Sequence, residues 1–275
     1  MNLLSSINNP IKSNLKPLYI DISYSDPDPS GNTFTNTDNS FKTNLLFQNT
    51  CTLTINNPSN NDLTIYYYII GKGETGQTAL LDVPSNTYRS GRGGRGGRIR
   101  SGIFICPSGN NLYNITINNA AYTGLNGGGI VNIINSNTNI SNSASGFFSG
   151  GGAVTANDGV GVDGTDNTTI VFPDGIYYGG GGGSGGKSKS QGTIAGGAGG
   201  AYGGGNGGQA MGNTFINGTY VIDGYDGNPG LKYGGGGGGG GHAANGDNSL
   251  RNMGVGGVGG NGAVFIYFKE RHKII

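Results

Sequence analysis

The chain has little charge: Asp, Glu, Lys and Arg make up only 11% of its 275 residues, where about 25% is usual, and the net charge is +1. A charge-swollen disordered coil is therefore excluded, because such coils depend on high net charge. The balance also provides no global pull toward nucleic acid or an anionic membrane. Tryptophan is absent and hydrophobic residues reach only 33%, so a large conventional core cannot be built from the whole chain. Nothing approaches the roughly 20 consecutive apolar residues of a membrane-spanning helix. Residues 1–24 lack the apolar stretch of a secretory signal, so synthesis in a cytosol without membrane insertion is expected. Cys51 and Cys106 are the only cysteines. In strand-like surroundings and a reducing compartment they are expected to be buried thiols, with a disulfide as the alternative.

What the chain has is glycine. Of its 60 glycines, 49 lie after residue 123, and residues 234–241 are an unbroken run. Glycine brings no side chain to a core and loses the most backbone entropy on folding. A flexible linker is the simplest reading of such a region. Three features oppose it. In residues 196–201 and 256–262 the non-glycine residue recurs at every third position, the period of a polyproline-II-type helix. The tracts 127–129, 150–152, 179–186, 196–208, 234–241 and 254–262 are separated by inserts long enough to reverse direction. The last tract runs into Ala263–Phe268, an apolar strand that needs a packed neighbour.

The expected fold class is mainly β with a non-regular glycine-rich region and essentially no α-helix. Residues 1–40 read as an extended docking arm, with one apolar run at 18–22 that can add as a strand, so its deletion is expected to spare the fold. Residues 41–123 read as a β-strand domain. Its runs at 41–47, 51–55, 63–70, 99–106 and 112–117 are rich in β-branched and aromatic residues and punctuated by Asn. Apolar and polar residues alternate strictly from Cys51 to Ile55, the mark of a half-buried strand. Residues 124–268 read as packed polyglycine-II helices, and 269–275 as a basic tail. One such helix cannot stand alone: ordering costs about 1–2 kcal/mol per residue, and a hydrogen bond returns about 0.5–1.5.

An apolar strand enters a glycine tract at 63–73, a strand pair follows at 103–117, and residues 256–267 close on Gly-Gly-Val-Gly-Gly-Asn-Gly-Ala-Val and a strand. In this pattern the chain resembles the glycine-rich domains of phage tail-fibre tip adhesins and of glycine-rich proteins of large DNA viruses. The resemblance covers about residues 63–268. It implies a sandwich of polyglycine-II helices, with the inserts forming a distal recognition surface. It departs from the family at 71–74, where Lys72 and Glu74 stand in place of glycine and put the first such helix in doubt.

Motifs for chemistry are weak. Residues 181–188 match the phosphate-loop pattern, but more glycine follows where a helix is required, and Lys187 is expected in an exposed insert. Arg92, Arg95 and Arg98 form an RGG-like stretch. The three would share one helix edge, as a structural edge or a contact to an anionic partner, while RNA binding is the lesser reading. His242 and His272 have no ligand-spaced partner, and Asp158, Asp163 and Asp166 lack calcium-loop spacing. Asn114, Asn139, Asn167 and Asn217 head glycosylation triplets. The chain is therefore read as non-enzymatic and without cofactor. The first expectation is a structural virion protein in a fibre, vertex or coat, bound to other virion proteins or to itself. The alternative is a tip adhesin recognising a host surface glycan or protein, with Tyr220, Tyr225, His242 and Arg251 as candidate contacts.

Overall fold

Strict alternation places one face of each N-terminal strand in a core. In Cys51–Asn57 every odd residue is buried and every even one half-exposed. A computed structural model describes residues 21–25, 33–36, 43–82, 87–117, 131–135, 140–144, 147–148, 150–154, 158–168, 170–190, 192–231, 233–244, 251–269 and 273–274. The described residues are mainly β and contain no helix.

Two larger sheets face each other. In the first, the order is Thr33–Asn36, Thr43–Phe47, Ala263–Phe268, Leu63–Ile70, Ile99–Cys106, all antiparallel. The second runs Ile140–Ala144, Val131–Asn135, Gly109–Ile117, Cys51–Asn57, Asp21–Ser25, Lys273–Ile274. Leu45, Phe47, Ile65, Ile69, Val264 and Ile266 from the first meet Leu53, Ile55, Tyr113, Ile115 and Ile133 from the second. Cys51 and Cys106 are buried free thiols in the same core. The outer face of the first sheet is also covered. Phe172 packs on Tyr68, Tyr178 and Phe265 at ring distances of 4.8, 4.8 and 5.1 Å, and Tyr233 joins them. Burial on both faces explains why Ala263–Phe268 is buried throughout and reads as a continuous apolar run.

The glycine tracts stand on this aromatic floor. Gly179 and Gly234, directly after Tyr178 and Tyr233, have φ of +80° and +71°, which turns the chain from the floor into the tracts with the two longest unbroken glycine runs. The tracts are joined by backbone hydrogen bonds recurring at every third residue. Gly73, Gly76 and Ala79 donate to Gly260, Gly257 and Gly254, while Gly71, Glu74 and Gln77 donate to Arg98, Arg95 and Arg92.

Residues 234–241 are bonded in this way to six other tracts: 71–79, 91–97, 180–186, 203–208, 225–231 and 254–260. The division is periodic. Gly235, Gly238 and Gly241 donate to Leu231, Asn228 and Tyr225 and accept from Gly260, Gly257 and Gly254. Gly236 and Gly239 donate to Gly180 and Gly183 and accept from Gly205 and Gly208. Gly237 and Gly240 donate to Glu74 and Gln77 and accept from Gly94 and Gly91. A Cβ on any of residues 235–241 would fall 1.9–2.1 Å from a neighbouring carbonyl oxygen, so no side chain fits anywhere in the run. Residues 179–186 are surrounded in the same manner by segments around 91–94, 151, 162–165, 197–200, 205–208 and 236. Their one side chain, Ser184, is buried and accepts the Val162 N–H at 2.8 Å. Tracts on the outside keep a side chain at each third place: Val255 and Val258 are 55% and 59% exposed.

Three expectations are revised. The charged first tract is no gap in the array: residues 71–79 carry periodic bonds to both neighbours, because Glu74 engages its backbone inward while its carboxylate accepts the Arg95 backbone N–H at 3.2 Å and lies 3.9 Å from the Arg95 Nε. The boundary at residue 123 does not follow the contacts. Residues 71–79 and 91–98 belong to the glycine array, and Ala263–Phe268 is the middle strand of the first sheet. The segment 1–40 is not wholly an arm, since Asp21–Ser25 pairs with Cys51–Asn57 and Thr33–Asn36 with Thr43–Phe47. Residues 18–20 lie outside the described residues. The basic tail likewise contributes Lys273–Ile274, parallel to Asp21–Ser25.

Candidate functional site

Each long tract leads from a turn beside the floor to a short strand at the far end. Residues 179–186 lead to Lys187–Ser188, 203–209 to Ala210–Ile216, and 234–241 to His242–Ala244, while Thr219–Gly224 and Arg251–Met253 feed 225–231 and 254–260. The far end therefore gathers segments distant in sequence. Lys187–Ser188 pairs parallel with His242–Ala244, which pairs with Arg251–Met253. Ala210–Ile216 and Thr219–Gly224 form a hairpin whose turn residues, Asn217 and Gly218, have φ of 50° and 84°, the positive pair that a tight hairpin turn requires.

His242 lies at the centre of this end and is not the surface loop residue or ligand contact expected from its sequence neighbours. It is 1% exposed, because the tract before it delivers it under Tyr88, whose ring stacks on it at 5.2 Å and 22°. Arg251 also lies over the Tyr88 ring, its Cζ 4.2 Å from the ring centroid. Neither ring nitrogen of His242 has a hydrogen-bond partner among the described residues. Burial, reinforced by the Lys187 ammonium in register beside it, pulls its pKa down to about 4. Lys187 is buried too, at 4% exposure, which corrects its expected exposed position; burial and then Lys189 lower its pKa. The residue sits inside because 179–186 is an interior tract and the strand continues it.

The phosphate-loop reading fails on geometry. Gly182, Gly183, Ser184, Gly185, Gly186 and Lys187 already donate their amides to Gly94, Gly205, Val162, Gly91, Gly208 and Gly159. None is left to cradle a phosphate. Arg92, Arg95 and Arg98 do share one edge, their carbonyls tied to residues 71–77 and their side chains half-buried or exposed. Asn167 is fully buried and donates to the Tyr178 carbonyl at 2.7 Å, so its triplet is no surface acceptor.

The aspartates act on the array itself. Asp163 and Asp166 accept the N–H groups of Ala198 and Ala201 at 2.7 and 2.6 Å, and Asp226 accepts that of Val255 at 2.7 Å. These donors belong to outer tracts that lack a further neighbour, and the carboxylates take the place of the missing carbonyls. Burial works against the charge of Asp158, but hydrogen bonds from Ser190, Lys189 and Ser188 outweigh it and hold its carboxyl below the usual range. Among the described residues no group of three or more His, Cys, Asp or Glu is placed to hold a metal.

Of the remaining candidates, Tyr220 pairs with Phe215 in the far-end hairpin, and Arg251 is exposed over Tyr88. Tyr225 is 42% exposed and borders a groove of about 690 Å³ with Asn206, Gln209, Asp226 and Asn228. Those four companions were not singled out from sequence. For three of them the signal is spacing: Asn206 and Gln209 on one tract, and Tyr225 and Asn228 on the next, lie three residues apart and so on one side, whereas Asp226 has no such signal. Compared with protein-family models, curated proteins and solved structures, the chain matches none.

Proposed function

We propose that the chain is a non-enzymatic structural protein of a virus particle, a component of a fibre, vertex or coat, built on polyglycine-II helices. The observation that carries this reading is the surrounding of residues 234–241 by six bonded tracts. A left-handed helix of three residues per turn points its amides in three directions, repeating every third residue. The donor and acceptor lists of residues 235–241 have that repeat. Such an array is a stiff rod bundle held by backbone rather than by a side-chain core, and stiffness serves a load-bearing or projecting part. Its partners are other particle proteins or copies of itself, and its resemblance to glycine-rich viral proteins supports that placement. Quantitative mass spectrometry of gradient-purified particles from producing cells tests it. The chain co-purifies at a fixed ratio to the main capsid protein if the reading holds. Recovery only in the soluble, particle-free fraction overturns it.

A second reading, a receptor-binding adhesin, is favoured by the gathering of inserts at the far end and by the exposure of Arg251 and Tyr225. Antibody fragments against the 210–224 hairpin separate the two. They block attachment of particles to host cells only in the adhesin reading.

A further inference from the structure

We infer that the groove between tracts 206–209 and 225–228 is a binding site for a neutral oligosaccharide. The site follows from the period of the tracts. Tyr225 donates its amide to Gln209 at 2.9 Å and Asn228 to Asn206 at 2.8 Å, so the two antiparallel tracts are in register. Each carries an outward side chain at every third place. Two rows of side chains, Asn206 with Gln209 and Tyr225 with Asn228, therefore flank a floor of bare backbone at Gly207 and Gly208.

The rows are held rigidly from behind. Gly207 donates to Gly197, Gly208 to Gly239, and the Tyr225 carbonyl accepts from Gly241. A Cβ on Gly207 or Gly208 would lie 1.9 Å from the oxygen of Ser184 or Tyr225, so the floor stays glycine and cannot shift. Backbone ordered before binding lowers the entropic cost of capturing a ligand.

The chemistry of the lining selects the ligand. Asn206 uses its Oδ1 on the Gly199 N–H at 2.8 Å, leaving its amide N–H groups as donors. Asp226 uses Oδ1 on Val255, leaving Oδ2 as an acceptor. Gln209 and Asn228 are exposed and offer a donor and an acceptor each. The ring of Tyr225 supplies one apolar face. Mixed donors and acceptors beside an aromatic plate match a chain of sugar hydroxyls and the C–H face of a pyranose. An anionic ligand has no Lys or Arg to meet in this lining, and a lipid or apolar peptide has too little apolar surface. None of Tyr88, His242 and Arg251 lines the groove. It stands whether or not the chain is a particle protein, and its failure would leave that reading untouched.

Saturation-transfer NMR and calorimetry on the full chain test the site with cello-, manno- and chito-oligosaccharides, and with heparin fragments and a peptide library as comparators. At least one neutral series is expected to bind. Tyr225→Ala and Asn228→Ala are each expected to weaken it at least tenfold with unchanged melting temperature, because both side chains are exposed. Tyr225→Phe should retain most of the binding, since it keeps the ring. Ile103→Ala, an exposed change on the strand sheet outside this lining, should bind as the parent does. Binding of no neutral series, binding of heparin fragments or peptides alone, or binding that survives both alanine changes would overturn the inference.

Discussion

Gly238→Ala adds one methyl group at the centre of the array, and its cost can be worked from the neighbours. The added Cβ would stand 1.9 Å from the Asn206 oxygen and 2.5 Å from its carbon. Ordinary contact between such atoms is about 3.5 Å, so two tracts must separate by more than an ångström. Backbone carbonyls held on both sides cannot swing aside as a flexible side chain would. Separation weakens the Gly205-to-Gly236 and Gly208-to-Gly239 bonds that join them, both 2.8 Å, and each buried group left unpaired costs about 1–3 kcal/mol. Overpacking adds about 1–3 kcal/mol. The sum is about 5 kcal/mol, a large part of the 5–15 kcal/mol that holds a typical domain. The paired control is Gly152→Ala. No atom lies within 4 Å of its Cβ position, and its φ is not positive. That variant is expected to be neutral or to gain about 0.4–1 kcal/mol through lower unfolded-state entropy. Calorimetric melts of both variants are the assay. Gly238→Ala should lower Tm by roughly 10 °C or more, or abolish folding, while Gly152→Ala leaves it level or higher. Equal Tm values for the two variants would refute the packed array, because in a flexible linker the two positions are equivalent.

His242 should make the fold acid-sensitive. Its folded pKa of about 4 lies below the ordinary 6.5, so the unfolded chain takes up the proton first and stability falls as pH drops from about 6.5 to 4. The loss is on the order of 3 kcal/mol, and Tm against pH should flatten over that window in His242→Phe, which keeps the stack on Tyr88. Lys187→Ala should cost about 1–2 kcal/mol in urea unfolding through lost packing of its buried stem, where an exposed residue would cost nothing. Asp163→Ala should cost about 1 kcal/mol and speed hydrogen exchange at the Ala198 amide, which an uncapped donor would show and a capped one would not. Deleting residues 1–36 should lower Tm, because it strips Asp21–Ser25 and Thr33–Asn36 from their sheets; an unchanged Tm would restore the reading of a free arm.

The β-strands were legible because their residues report a local rule. Period-2 alternation from Cys51 to Ile55 needs only one buried face, and the structure extends that strand to Asn57. The six apolar residues at 263–268 announced burial on both faces, though not which elements would cover them. The glycine tracts carried a finer message than their composition. Runs without interruption, 179–186 apart from Ser184 and 234–241, are the two surrounded on all sides, since any side chain there meets a backbone oxygen. Tracts with one larger residue in three, such as 254–260, lie outside with that residue toward solvent. The sequence by itself thus determined which tracts are interior, through the steric demand of close backbones. Only the tertiary structure decided which tracts are neighbours, because glycine carries no side chain to encode a partner. It also placed His242 and Lys187 inside, delivered there by the tracts they follow. The Tyr225 groove was likewise a tertiary outcome, made where two tracts in register bring their third residues to one side.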